Sequence, residues 1–353
     1  MPDPGDSMKS TWPSADRATW KHHHWLLHLL NITHKPEDNP PVFQKTDKVH
    51  HFTRWRVHAW IIFHAAQPVI IHQAFGLFLA RPLNGWAVFF LYFFFFGITA
   101  VQEVQLIRRL GLKYGYLDGD VTPRDGVPDT GVHKVAEAFY KTVGWRVAML
   151  VLLTYQRDSA TAAASLHTFL LIKWWCWAFI NIGCYGLVVD FWFYWYHRAM
   201  HEVDFLWKFH RKHHLTKHPN PLLGAYADEE QEFFDMAVVP FLAFWTLRLV
   251  GLKLGFYDWW LAFQYVAFAE LMGHGGVRVT APVPSPFESL YEALGLELVV
   301  EDHDLHHRRG YRKSANYGKQ TRVWDVLFGT AGSRIEATQG NIDYNNRVNI
   351  SIF

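Results

Sequence analysis

The chain alternates between long apolar runs and short polar stretches, and the lengths of the runs set the first expectations. Runs near Val57–Ala80 and Asn84–Val101 approach the roughly 20 residues that a membrane-spanning helix needs, and their closeness predicts a helical hairpin. A third run extends from about Leu166 to Tyr196. Some 30 residues of helix measure roughly 45 Å, against a hydrocarbon core of about 30 Å. One helix of that length overshoots the membrane and carries whatever follows it into the water layer. Met236–Val250 and Trp259–Met272 are short for spans and predict re-entrant or tilted helices. Val143–Tyr155 is shorter still and predicts an interfacial segment. The pattern as a whole is that of an all-α integral membrane protein with about four transmembrane or re-entrant helices.

Composition agrees with a chain that is part membrane and part soluble. Half of the 353 residues are hydrophobic and 17% are aromatic, yet the mean hydropathy is only −0.05. The organisation expected is a polar N-terminal arm over 1–55, membrane helices with an intervening loop over 56–185, a histidine-bearing region with further inserted helices over 186–335, and a tail over 336–353. The arm has no basic stretch followed by an apolar core, so no cleavable signal peptide is expected. Its His22-His23-His24 and His50-His51 do not share one helical face and predict surface or interfacial roles. His64 and His72 on the first span lack partners at matching depth for a haem. Cys176 and Cys184 are eight residues apart on one run, too far along a helix to bridge, and predict buried thiols. Tyr114–His133 is rich in Gly, Pro and Asp and predicts a solvated loop. The spacing of Asp118, Asp120, Asp125 and Asp129 is not that of a calcium loop.

The chemistry lies in nine histidines of the C-terminal half. His197 and His201 form one box, His210, His213 and His214 a second, and His303, His306 and His307 a third; His274 stands alone. The second and third boxes repeat one spacing, H-x-x-H-H. Residues three and four apart share a helical face, so each box aims two or three imidazoles at one place. Imidazole suits iron, zinc, copper or nickel. Nine donors exceed the four to six that one ion takes, which implies a two-metal site. Redox chemistry on an apolar substrate needs iron or copper, and a polynuclear histidine-rich site fits a pair of iron ions best. Zinc is an expected substitute in a purified sample.

Nearby charges add detail. Asp190 lies two turns before His197 on nearly the same face, inside an apolar run, and predicts a partner that orients a ligand imidazole. Glu270, one turn before His274, predicts the same role. Asp302 and Asp325 read as ordinary surface acids. Arg198, Lys208, Arg211, Lys212, Lys217, Arg308, Arg309, Arg312 and Lys313 crowd the boxes. Short positive flanks stay cytoplasmic, so the metal site is expected to face the cytosol. The same basic rim suits docking of an acidic partner.

These residues carry a resemblance. Asp190–His201 reads DFWFYWYHRAMH and resembles the D-x-x-x-Y-x-x-H-R-x-x-H motif of the fatty acid hydroxylase/sterol desaturase superfamily. His210–His214 and His303–His307 are similar to its H-x-x-H-H boxes, and His274 resembles its isolated histidine. Asn316-Tyr317-Gly318 and Trp324-Asp325-Val326-Leu327-Phe328-Gly329-Thr330 resemble its closing N-[FY]-G and W-D-x-L-F-G-T. The resemblance spans roughly Gly186–Thr330. It implies an integral membrane enzyme with a cytosolic cap of His-bearing helices, residing in the endoplasmic reticulum. It further implies O2 as co-substrate, electrons from cytochrome b5 or a similar carrier with its reductase, and a lipid-like substrate. Many members carry another His some fourteen residues after the second box. Here Asp228 stands in that stretch, as a candidate tenth metal ligand, with His218 as the alternative. No H-P-G-G haem motif is present, so the electron donor is expected to be a separate protein. No nucleic-acid partner is expected.

The leading function is hydroxylation or desaturation of a lipid-like substrate, since both reactions begin with the same hydrogen abstraction. Atypical chemistry on the same fold, an isomerisation or lyase-type cleavage, is the alternative. A His-rich membrane metal transporter is more remote, because its ligands would lie near the bilayer midplane rather than among Arg and Lys at the ends of apolar runs. The division of the histidines is testable. His213→Ala should abolish activity, as should His201→Ala and His306→Ala, while His23→Ala should leave it near wild type in a product assay. Equal damage from His23→Ala and His213→Ala would overturn the division.

Overall fold

Long apolar helices form one layer, and the polar ends of these helices carry a cap of short ones. The computed structural model describes residues 7–35, 37–155, 171–310 and 314–352. In chain order the helices are α1 (His22–Leu29), α2 (Arg54–Phe78), α3 (Gly85–Tyr114), α4 (Val132–Thr154), α5 (Ile172–Glu202) and α6 (Asp204–His210). They continue with α7 (Glu229–Phe233), α8 (Val239–Leu249), α9 (Phe256–Gly273), α10 (Glu288–Ala293), α11 (Val300–Arg309) and α12 (Val323–Leu327). The chain is an all-α membrane protein apart from one small sheet. Among the described residues, α2, α3 and α5 are long and apolar enough to cross a membrane.

The predicted hairpin is α2 and α3. The Asn84 side chain accepts from the Ala87 amide at 2.8 Å and caps the start of α3. Gly115, at φ 74°, ends α3 in a conformation that favours glycine. Ile70, Phe75 and Phe78 on α2, and Trp86, Phe90 and Phe94 on α3, point outward, as a lipid-facing surface requires. The third run becomes α5, 31 residues long, or roughly 46 Å at 1.5 Å per residue. It carries His197 and His201 on its last two turns. The start of that predicted run, 166–170, lies outside the described residues. Cys176 is exposed on α5 and Cys184 half-buried, so the expectation of two buried thiols is corrected: the helix turns Cys176 toward its outer face.

The shorter runs behave differently from expectation. Val143–Tyr155 is not a short interfacial piece but the second half of α4, a 23-residue helix that buries Val135, Val143, Val147 and Leu150. Met236–Val250 is split between a π-helical turn, Phe234–Val238, and α8. Trp259–Met272 is the core of α9, which packs on α2, α3, α4, α5 and α11. Nearly every residue of α9 is buried, so it is apolar all round because protein surrounds it, rather than lipid.

A three-stranded sheet ties the chain ends to the cap. β1 (Val49–Phe52) pairs in parallel with β2 (Val279–Thr280) and β3 (Ile342–Val348), in the order β2-β1-β3. The histidines of His50-His51 therefore belong to a strand. Arg278, 1% exposed, fixes this corner: it pairs with Glu336 at 2.8 Å and donates to the carbonyls of Lys48 at 3.0 Å and Gln44 at 3.2 Å. The stretch after α3 is likewise no solvated loop. Asp118 is buried against Lys45, His218 and Arg308, and Asp125 accepts from Thr216, Lys217 and His218. Removing one partner of a buried ion pair costs about 3–5 kcal/mol. Glu336→Ala should therefore lower the unfolding temperature and expose the arm and tail to limited proteolysis, and resistance equal to wild type would contradict that role for the Arg278 corner.

Candidate metal centre

The eight histidines of the three boxes and the lone His274 meet in the interior, although they come from five separate elements. His197 and His201 sit one turn apart on α5. His210 ends α6, and His213 and His214 follow on a 3-10 turn. His274 caps the C-terminus of α9, and His303, His306 and His307 lie on α11. Each of the nine is 2% exposed or less. They form two groups. One contains His197, His201, His210, His214 and His306; the other contains His213, His274, His303 and His307. Within each group the donor atoms all lie within 4.8 Å of one another. Both H-x-x-H-H boxes are divided between the groups. The i, i+4 pairs His210/His214 and His303/His307 stay together, and the intervening His213 and His306 serve the other group.

Outer hydrogen bonds set the ring tautomers. His197 Nδ1 donates to the Tyr317 carbonyl at 2.7 Å, His274 Nδ1 to the Glu270 carbonyl at 2.7 Å and His306 Nδ1 to the Ala315 carbonyl at 2.8 Å. His307 Nδ1 donates to the Thr216 carbonyl at 3.1 Å, and His210 Nδ1 to Gln231 Oε1 at 2.9 Å. A carbonyl oxygen can only accept, so Nδ1 bears the proton and Nε2 presents a lone pair to the centre. Burial holds His213, His214, His303 and His307 well below the ordinary imidazole value. It pushes His210 and His306 down to about 3. The rings are neutral donors at physiological pH.

This donor set fits metal ions. Nε2 atoms face one another at 3.0 Å in His197–His210, His201–His214, His210–His214 and His274–His303. In His197–His210 both rings hold their proton on Nδ1, so two Nε2 lone pairs face each other and repel unless a cation lies between them. The separations equal the cis edges, about 3.0 Å, of an octahedron with metal–nitrogen bonds of about 2.1 Å.

Other sequence-predicted residues stand elsewhere or act differently. Asp228 is not in either group: its carboxylate pairs with Lys212 at the rim. Gln231, three residues later and one turn into α7, is the residue that reaches His210. His218 binds Asp118 at 2.9 Å and is also outside the groups. Glu270 orients His274 through its backbone carbonyl, while its carboxylate holds Arg146 at 2.7 and 2.8 Å. Asp190 touches no imidazole. It accepts from the amides of Lys319, Gln320 and Thr321 and from the Thr321 hydroxyl, at 2.7 to 3.1 Å. It thereby fixes the loop whose Tyr317 carbonyl holds His197.

Asp302 and Asp325 are fully buried rather than surface acids. Asp325 accepts from the amides of Tyr317 and Gly318, each at 2.8 Å, and from Thr330 Oγ1 at 2.7 Å. Asn316, at φ 57°, turns this loop. A Cβ at Gly318 would come within 2.6 Å of the Thr321 carbonyl oxygen, so no larger residue fits there. The basic rim is partly internal: Arg308 is paired with Asp304 at 2.7 Å and Asp118 at 3.0 Å, and Lys217 donates to the Gly310 carbonyl. Arg312 and Lys313 lie outside the described residues.

Fold and site together define a membrane-bound, histidine-rich metalloenzyme, and the comparisons give the class its name. Residues 182–330 match the fatty acid hydroxylase family. The chain is 40% identical over 323 residues to the fatty acid hydroxylase vlmA of Lecanicillium sp, covering 89% of this chain and 87% of that protein. It is 29% identical over 242 residues to a very-long-chain aldehyde decarbonylase of Oryza sativa subsp. indica, covering 67% and 80%. It is 32% identical over 156 residues to methylsterol monooxygenase 2-1 of Arabidopsis thaliana, covering 41% and 53%. No solved structure matches the chain significantly. The chain belongs to the fatty acid hydroxylase family and is an oxidoreductase.

Partners of ligating imidazoles typically matter 10–100-fold to metal affinity. Gln231→Leu should weaken metal retention by roughly that factor, whereas Asp228→Asn should leave it unchanged, as read by metal content after dialysis against a chelator. The reverse ranking would restore Asp228 as a ligand.

Proposed function

We propose that this protein oxidises a C–H bond of a lipid-like substrate, by hydroxylation or desaturation, using two iron ions, O2 and external electrons. The division of nine neutral imidazoles into two adjoining groups beside an apolar cavity carries the reading. The cavity measures 460 Å³, within the size range of small-molecule sites. Apolar residues of α1, α3, α4 and α9 form its walls, and His274 stands in its lining.

Nε2 atoms of His197, His201, His210, His214 and His306 would hold one iron, and those of His213, His274, His303 and His307 the other. The iron pair, when bound, supplies the activation of O2 that C–H oxidation needs. The chain's own tasks are to keep the imidazoles neutral, to hold the Nδ1 protons of five of them on carbonyl oxygens and to exclude water from the cavity. Electrons come from cytochrome b5 or a similar carrier with its reductase, and the exposed part of the basic rim, Lys208 and Arg309 among it, is the docking side. The positive flanks support a cytosolic position for this side, and the family resemblance supports the endoplasmic reticulum membrane.

The aldehyde decarbonylase relative supports cleavage as a second reading, and product analysis separates the two. Purified enzyme should hold close to two iron ions per chain. With donor and O2 it should yield a product carrying one added oxygen atom or lacking two hydrogens, by mass spectrometry. Full activity with one metal ion or none would exclude the two-iron reading, and a shortened carbon chain would favour cleavage.

A further inference from the structure

The cavity has a polar floor that the metal ligands do not explain. Arg146, Glu270, Asp235 and Lys319 line it beside His274. Three of these four have partners in bonding contact. Arg146 and Glu270 are closed on each other, and Asp235 stands 3.5 Å from Gln231 Nε2. Lys319 is different. Its side chain is only 10% exposed, its nearest carboxylate oxygen, on Asp235, is 3.9 Å away, and its ammonium lies 4.2 Å from the centre of the Phe193 ring. No hydrogen bond to Nζ is present among the described residues. Phe193 in turn packs on the His197 ring at 4.9 Å.

A buried ammonium without an acceptor is costly, and a Lys among positive metal sites is costlier. The backbone does not let it swing away, because the Lys319 amide is bound to Asp190 at 2.7 Å. Other parts of the cavity lining are apolar. Phe94, Ile98 and Tyr140 line it and are also exposed on the outward faces of α3 and α4. The cavity thus reaches the outer surface at apolar residues, whereas the Lys319 cation is buried.

We propose that Lys319 binds the anionic head of the substrate, a carboxylate, so that a single-chain amphiphile enters head first and presents carbons near its head to the metal centre. The inference rests on the oxygenase reading for the reaction, but the binding it describes does not need turnover. The carboxylate supplies the missing acceptor for Nζ, and its acyl chain runs along Leu271, Val143 and Phe139 toward that surface. Desolvation of the head is offset by the charge-assisted hydrogen bond. The neighbouring Asp235 and Glu270 disfavour a second carboxylate, which suits a monoacid.

The test is equilibrium binding to full-length, metal-loaded protein in detergent under nitrogen, with palmitate and its methyl ester competing against a fluorescent fatty acid. Lys319→Met should weaken palmitate roughly tenfold to a hundredfold, the worth of one hydrogen bond to a charged group, and leave the ester nearly unchanged. Lys319→Arg should restore most of the palmitate affinity, and metal content should be the same in all three proteins. Equal losses for acid and ester would mean a packing role, and no loss for either would mean that the ammonium does not meet the ligand; each overturns the proposal. A wild-type protein that binds ester as tightly as acid would also overturn it. A failure of the oxygenase reading shows separately, as absent product with head-dependent binding intact.

Discussion

The structure depends on keeping nine imidazoles neutral, dry and aimed inward. Dry surroundings favour the uncharged ring, and the uncharged ring has one proton to place. Four backbone carbonyls and the Gln231 side chain take that proton on the outer side of five of the rings. Everything else in the cap serves to put those acceptors where they are. A carbonyl in a loop is only as well placed as the loop itself, which is why the loops here are bound so tightly.

Buried carboxylates do that binding. Asp190 and Asp325 hold the turn that carries the Tyr317 carbonyl, and Asp302 caps α11 by accepting the Val299 amide at 2.9 Å. Glu301 accepts the amides of Ile335, Glu336 and Ala337 at 2.6 to 2.9 Å and anchors the tail beneath α11. Asp304, between His303 and His306 in the chain, is fully buried against Arg124 and Arg308. These acids compensate charge near a centre whose imidazoles contribute none, yet they do so at one remove, through amides and guanidinium groups. The family's closing motif is therefore structural: its Asp, Gly and Asn build the turn behind His197.

The membrane part and the cap meet at α9. Surrounded by four long helices and α11, it ends in His274 and so links the apolar layer to the metal centre. The cavity uses the same junction. Its walls come from α1, α3, α4 and α9 and its floor from the cap, so an apolar space adjoins the histidine groups. The π-helical turn at Phe234–Val238 brings Asp235 and Met236 into that cavity, in keeping with the frequent placement of such turns at functional sites.

The hairpin of α2 and α3, the long α5 and the nine histidines were legible in the chain because each rests on local periodicity or length. So was the closing motif, read by likeness before its structural meaning was visible. The expected roles of Asp228, Asp302, Asp325 and the Glu270 carboxylate did not match their placement, because a carboxylate looks the same in sequence whether it faces a metal, an amide or water. Backbone carbonyls leave no trace in residue type at all, so the acceptors for His197, His274, His306 and His307 had no signal to find. Spacing alone put neighbouring imidazoles on one helical face. Which of two groups each joins, with His213 and His306 crossing over from their own boxes, was decided only when α5, α9 and α11 packed together, since ring direction depends on where the other elements leave room.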